Sequence, residues 1–353
     1  MSLVRCTRLF AATLALATWA FAPAADAALP NPWPGGVHCT SKTGLRHTFR
    51  IGTNCRQFTF NGVDRRYVAS VPLSAKRRMN RGERVPVVAM LHGSSGTGEQ
   101  FLIHSGWREV ARREGFIAVF PTGQEYLVDT QGPPHMSTKW ADYSLDEDID
   151  EAQTPPADDV GFLRSMAVDV AHSARVNPRR VYLSGFSNGG AMCMRAALEL
   201  SSSLAAAGCN AGSLHSVHHV TTGAPHIPVV LTYGSLDDRF LGAINAAQDP
   251  ADPPVTEIPM NPSRAFQLQG VSAVLSIQEE SFDVTDQADV LFRGRNAFDV
   301  RFDEPVPGVT GTSQAQLSVL KGVEHEYPTA TNNPHHFRMA DLLWAFFRSH
   351  PQP

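Results

Sequence analysis

The 353-residue chain is poor in cysteine, with five, and only 18% of its residues are charged, 30 basic against 34 acidic for a net charge of −4. That balance leaves no strongly basic field to hold a phosphate backbone, so a nucleic-acid partner is not expected. Beyond the N-terminal segment there is no apolar run long enough to span a bilayer. No internal repeat or Ser/Gly-rich linker divides the sequence, and 27 glycines and 25 prolines stay below low-complexity levels. What is present is a 42% hydrophobic complement, enough to bury a sizeable core and to exclude wholesale disorder.

The N-terminus has a different composition. Arg5 and Arg8 precede an almost entirely apolar stretch, Leu9–Ala24, and Ala25-Asp26-Ala27 has the small-x-small form that a signal peptidase cuts. Residues 1–27 therefore read as a secretion signal and 28–353 as one α/β domain, exported and without an anchor once the signal is cleaved. Cys6 leaves with the signal. Cys39, Cys55, Cys193 and Cys209 remain, and four cysteines permit three pairings. The local scheme, Cys39 with Cys55 and Cys193 with Cys209, is favoured because both loops are short. The alternative keeps Cys193 and Cys209 as buried thiols. None of the four has metal-site spacing.

Strand-like and helix-like patterns alternate along the chain. Val85–Leu91, Phe116–Phe120, Val181–Leu183, Ile227–Leu231 and Ala315–Leu320 read as apolar strands. Helices are expected over Gln100–Glu114, Val160–Val176, Ser187–Leu200 and Met339–Arg348. Such alternation implies a mostly parallel sheet with helices on both faces.

The most informative segment is Gly185-Phe186-Ser187-Asn188-Gly189-Gly190, which follows an expected strand and opens an expected helix. A serine between glycines in that context sits on a sharp turn, its hydroxyl raised above the sheet end and beside a helix N-terminus. A serine nucleophile needs a base, and the base needs an orienting carboxylate. Asp237, in the loop after Ile227–Leu231, is the expected carboxylate, with Asp238 as its alternative. His325, in the loop 321–328, is the expected base, because His335, His336 and His350 lie near or within the last helix. The loop Leu91-His92-Gly93-Ser94-Ser95-Gly96 suits the second half of an oxyanion hole. Its Ser94 N–H and the Asn188 N–H are the expected donors. His92 itself reads as structural, bonding loop backbone.

Read in order, LHGSSGTGEQF, REGFIAVFPTG, DDVGFL, VNPRRVYLSGFSNGGAM, YGSLDD and EHEYP resemble the poly(3-hydroxybutyrate) depolymerase and feruloyl-esterase-like α/β-hydrolases. The resemblance runs from about Tyr67 to the last helix. It implies an α/β-hydrolase fold and hydrolysis of carboxylic esters without metal or organic cofactor. It also implies a Ser187, Asp237, His325 triad, oxyanion donors at Ser94 and Asn188, and Trp140 as a substrate-binding aromatic beside the cleft. The substrate it implies is a small ester or an oligomeric polyester. Because the chain ends at Pro353, soluble oligomers or amorphous polymer are expected over crystalline material. The chain departs from the family at Ser94 and Lys139, where cysteines are common, and at Tyr327-Pro328, which replaces Trp-Pro. A peptidase or acyltransferase using the same serine, and a non-catalytic binding module on the same scaffold, are the competing readings.

Other clusters carry blander expectations. Asp146, Glu147, Asp148, Asp150 and Glu151 lack the pattern of a calcium loop and read as solvated. His215, His218 and His219 have no further ligand to complete a zinc set. Lys76, Arg77, Arg78, Arg81 and Arg84 read as a solvated basic loop, and Trp107 as core.

Overall fold

A computed structural model of the chain describes residues 36–129, 132–149, 154–219, 226–307 and 311–352. The expected signal segment lies outside the described residues, as do Asp150 and Glu151. From the N-terminal side, β1 (Ser41–Thr43), β2 (Gly52–Phe60) and β3 (Val63–Val71) lead through α1 (Leu73–Asn80) to β4 (Val85–Leu91). Helices α2 (Gly98–His104) and α3 (Trp107–Glu114) precede β5 (Ile117–Pro121), and a separate hairpin is built from β6 (Gln124–Val128) and β7 (His135–Lys139). Then come α4 (Asp159–Ser173), β8 (Val176–Phe186), α5 (Asn188–Glu199), β9 (Ala206–Asn210) and β10 (His226–Gly234). The C-terminal part holds α6 (Asp238–Ala246), α7 (Pro262–Ala265), α8 (Gln269–Ser281), β11 (Ala288–Phe292), β12 (Ala297–Phe302), β13 (Gly311–Leu320) and α9 (Met339–Ser349).

Eleven strands form one sheet in the order β1-β2-β3-β5-β4-β8-β9-β10-β13-β12-β11. The run from β5 to β13 is parallel, and antiparallel pairs flank it on both sides. All seven residues of β4 (VPVVAML) are buried, the pattern of a strand covered on both faces. One apolar cluster gathers α4 and α5 on one face, and the other gathers α3 and α9 around Trp107 and Phe347. Trp107 is fully buried, as expected. This is the α/β-hydrolase fold, with parallel strands whose C-terminal ends present the loops where sites form.

Several local expectations are corrected. The helix expected over Gln100–Glu114 is two helices, separated where Gly106 takes φ +78°. Thr97 starts the first with a reciprocal capping box: its side chain accepts from the Gln100 N–H, and the Gln100 side chain accepts from its own. Lys76, Arg77 and Arg78 of the basic cluster lie in helix α1 rather than a loop, because Leu73–Asn80 packs Ala75 and Met79 inward; Arg81 and Arg84 follow the helix, and Arg78 and Arg81 pair with Glu83. The 87 residues between Asp237 and His325 hold more structure than the loops that carry the two residues. They hold three helices and the β11–β12 hairpin, which extends the sheet past β13. Within the acidic run, Asp148 is not simply solvated but pairs with the buried Lys139. Disulfides join Cys39 to Cys55 and Cys193 to Cys209, each with Cα atoms under 6 Å apart. The second ties α5 to β9 directly behind the turn at Ser187.

Candidate active site

The turn between β8 and α5 admits almost no side chains. A Cβ on Gly185 would lie 1.9 Å from the carbonyl oxygen of Gly189, and one on Gly189 would lie 2.2 Å from that of His92. Between them Ser187 takes φ +54° and ψ −125°, a conformation that L residues avoid and that is held only where surrounding structure enforces it. Two backbone bonds enforce it here. The Ser187 N–H donates to the Asn210 carbonyl of β9, and the Ser187 carbonyl accepts from Ala191 in the first turn of α5, both at 2.9 Å. The hydroxyl is left outside these bonds, at the C-terminal end of the sheet.

That hydroxyl meets His325. Ser187 Oγ lies 2.9 Å from His325 Nε2, and His325 Nδ1 lies 3.0 Å from Asp237 Oδ1. Asp237 is fully buried and caps α6, accepting from the Arg239 and Phe240 N–H groups at 3.1 Å through the same Oδ1. Asp238 is the first residue of that helix and is exposed. The carboxylate loop and the histidine loop are joined through Ser235: its Oγ accepts from the Gly322 N–H, and its N–H donates to Leu320. Behind His325 the rings of Phe101, Phe186 and Tyr327 pack together, with Phe186 5.4 Å from the imidazole. Thus three residues far apart in sequence, Ser187, Asp237 and His325, form one hydrogen-bonded chain. A ligand atom from each of Asp237, Asp238 and His325 also falls within 4.8 Å of the others. Both nitrogens of the imidazole, however, are already engaged by Ser187 and Asp237.

The loop after β4 passes on the other side of the serine. A Cβ on Gly93 would come within 3.2 Å of Ser187 Cβ, so the loop backbone passes close against the serine. The Ser95 N–H is spent on Thr138 and the Gly96 N–H on Gly93. The Ser94 and Asn188 N–H groups have no acceptor among the described residues, and the latter opens helix α5. Two N–H groups without an acceptor among the described residues thus lie in the two segments that adjoin Ser187.

A shell of buried polar groups fixes this loop. His92 is fully buried; its Nδ1 bonds the Gly93 carbonyl at 2.7 Å and its Nε2 accepts from the Gly123 N–H at 2.9 Å. This is the backbone-bonding role expected of it. Trp140 is a correction: it is fully buried, and its indole N–H donates to the His92 carbonyl at 2.9 Å. It braces the loop from behind instead of lining a cleft, because the β7 segment that carries it runs under the loop. The Asn188 side chain is clamped to the same segment, accepting from Trp140 N–H and donating to Trp140 O and to Asp142. Asp159 accepts from the Ala141 N–H and pairs with the buried Arg65, so the Asp158–Phe162 motif secures this segment. Asp142, Arg65 and the Phe101–Phe186–Tyr327 cluster were not identified in the sequence; Asp142 gave a signal only as a carboxylate two residues after Trp140.

Burial holds the His92 imidazole neutral and lowers its pKa to about 4. An unfolded chain binds a proton at this histidine below about pH 6.5, whereas the folded protein does so only below about 4. Stability from this group is therefore complete above pH 6.5 and is lost as pH falls toward 4, by about 3 kcal/mol in all. His92→Gln is expected to be less stable than the parent at pH 7.5 but to lose less on acidification. Urea unfolding at pH 7.5 and 4.5 checks this; equal acid losses in both proteins would contradict it.

The comparisons with known proteins agree with this framework. The family described as Esterase PHB depolymerase matches residues 76–258. The putative esterase NocK of Nocardia uniformis subsp. tsuyamanensis is 28% identical over 213 residues, covering 55% of this chain and 57% of that protein. Feruloyl esterase B of Piromyces equi is 31% identical over 129 residues, 36% of this chain and 21% of that protein. The chain thus spans about half of one relative's length and a fifth of the other's. The solved acetyl xylan esterase from Aspergillus awamori superposes with a TM-score of 0.50 at 14% identity, over 83% of this chain and 99% of that one, a likeness of fold. With Ser187, Asp237 and the loop at Ser94 all inside the matched segment, which covers more than half of the sequence, the chain belongs to the esterase PHB depolymerase family.

Proposed function

We propose that this protein is an exported serine carboxylic-ester hydrolase that cleaves hydroxyalkanoate or related short esters through an acyl-enzyme. The observation that carries the reading is the continuous bond chain from Ser187 Oγ through His325 to Asp237, with the serine on a strained positive-φ turn. Donation of the Nδ1 proton to Asp237 fixes the tautomer in which Nε2 is an acceptor, so His325 takes the Ser187 proton as the oxygen attacks the ester carbonyl. Charge developing on the carbonyl oxygen is received by the Ser94 and Asn188 N–H groups. His325 then protonates the leaving alcohol, and a water activated by the same imidazole releases the acid and restores the serine.

Export is supported by the cleavable-type N-terminal sequence and by two disulfides, which persist in oxidising compartments. Among the described residues no helix is long and apolar enough to cross a membrane. Family membership favours a hydroxyalkanoate ester, and the similarity to feruloyl esterase B favours a phenolic ester as the second reading. Initial rates on 3-hydroxybutyrate oligomers, methyl ferulate and p-nitrophenyl butyrate distinguish them. The proposal expects the oligomers to give the highest kcat/KM of the two natural-type substrates. A preference for methyl ferulate would install the second reading, and inertness toward all three would remove both.

A further inference from the structure

A cavity of about 640 Å³ opens between α4 and the sheet, and none of its lining residues belongs to the Ser187 site. That volume is in the range of sites for small organic molecules. Its walls are apolar: Val87, Ala89 and Val119 from the sheet face Leu163, Met166 and Ala167 of the helix.

Its polar edge is equally distinctive. Arg84, Arg164 and Arg175 line the same cavity, and all three are exposed. Arg84 immediately precedes β4 and Arg175 immediately precedes β8. The two strands begin side by side, the Val85 N–H donating to the Arg175 carbonyl at 2.9 Å. Elsewhere Arg65, Arg78, Arg81, Arg113 and Arg195 have carboxylate partners. Among the described residues the guanidinium groups of Arg84, Arg164 and Arg175 have neither ion pair nor hydrogen bond, and no acidic residue lines the cavity. Arg84 and Arg175 stand at the opposite end of the sheet from Ser187, roughly 30 Å away along β8, whereas Arg164, in the second turn of α4, lies roughly 15 Å back along the helix from Arg175.

We propose that this cavity binds a single-chain aliphatic carboxylate, the chain between α4 and the sheet and the carboxylate on Arg84 and Arg175. A neutral hydrocarbon leaves Arg84 and Arg175 unused, and a small anion leaves the apolar walls unused. An amphipathic anion satisfies both, and guanidinium groups bind carboxylates through paired hydrogen bonds. Affinity then rises about three- to four-fold per methylene until the cavity is filled. The site is independent of the ester chemistry at Ser187 and needs no product of it.

Isothermal titration of the whole protein with octanoate, decanoate and 1-decanol tests the proposal. One saturable site is expected for decanoate, tighter than for octanoate and at least ten-fold tighter than for 1-decanol. Arg84→Gln combined with Arg175→Gln alters two exposed side chains without partners, leaves folding intact, and is expected to weaken decanoate at least ten-fold. Ala167→Trp fills the space and is expected to abolish binding, with thermal unfolding confirming that the variant is folded. Absence of saturable binding, equal binding of 1-decanol, or binding unchanged in the arginine variant would each overturn the assignment.

Discussion

Ser187→Ala is expected to lower ester hydrolysis by at least about 10⁴-fold while leaving the unfolding temperature close to that of the parent. The size follows from the role: without the oxygen no acyl-enzyme forms, and only binding and the oxyanion donors remain to assist water. The small stability effect follows from the geometry. The bonds that hold the turn are made by the Ser187 backbone, to Asn210 and from Ala191, and the hydroxyl contributes only its contact with His325. Alanine retains the positive φ at a cost similar to serine's. Measuring kcat/KM and the unfolding midpoint on the same preparation separates the two effects; a large loss of both would mean that the hydroxyl is structural.

Asp237→Asn is expected to lower kcat by about 10³- to 10⁴-fold, and the nature of the change matters as much as its size. Asp237 does two things with one oxygen: it caps α6 through Arg239 and Phe240, and it receives the His325 Nδ1 proton. Asparagine is as good a helix cap as aspartate, so the cap survives. What is lost is the negative charge that stabilises the imidazolium and fixes the tautomer with Nε2 free to accept. Asp237→Ala removes the cap as well and is expected to cost about a further 1 kcal/mol of stability. Asp238→Asn, at an exposed position on the first turn of the same helix, is expected to leave kcat within a few-fold of the parent. Comparing kcat and urea midpoints across the three variants assigns the carboxylate. Equal losses at 237 and 238 would undo the assignment.

The elbow was legible because its requirements are local. Glycines at 185 and 189 are demanded by atoms within four residues and by a neighbouring strand end, and a short motif records them. The carboxylate and histidine were legible because each follows a readable apolar strand, β10 and β13. The burial of β4 was likewise written in an unbroken apolar run. What escaped depends on contacts distant in sequence. Trp140 reads as a cleft aromatic by its position in the resemblance; that it lies beneath the loop is decided by His92, 48 residues earlier, which accepts its indole proton. The β11–β12 hairpin was missed although Phe298, Val300 and Phe302 alternate with Asp299 and Arg301 after the turn at Gly294, a readable strand pattern. That it extends the sheet past β13 depends on pairing that the local pattern does not record, and the β11 residues are all exposed. Arg65 and Asp159 are individually ordinary charges whose pairing, 94 residues apart, exists only in the fold. The break at Gly106, by contrast, was available: a glycine inside an otherwise helical pattern, with the space of one turn on either side.

Whether Ser187 is the nucleophile is read most directly by peptide mass mapping after treatment with an alkyl fluorophosphonate, with esterase activity followed in parallel. One adduct per chain is expected, on the peptide carrying Ser187, formed in step with loss of activity and absent from His325→Ala. Activity that survives unchanged, or an adduct confined to another serine while activity is lost, would contradict it.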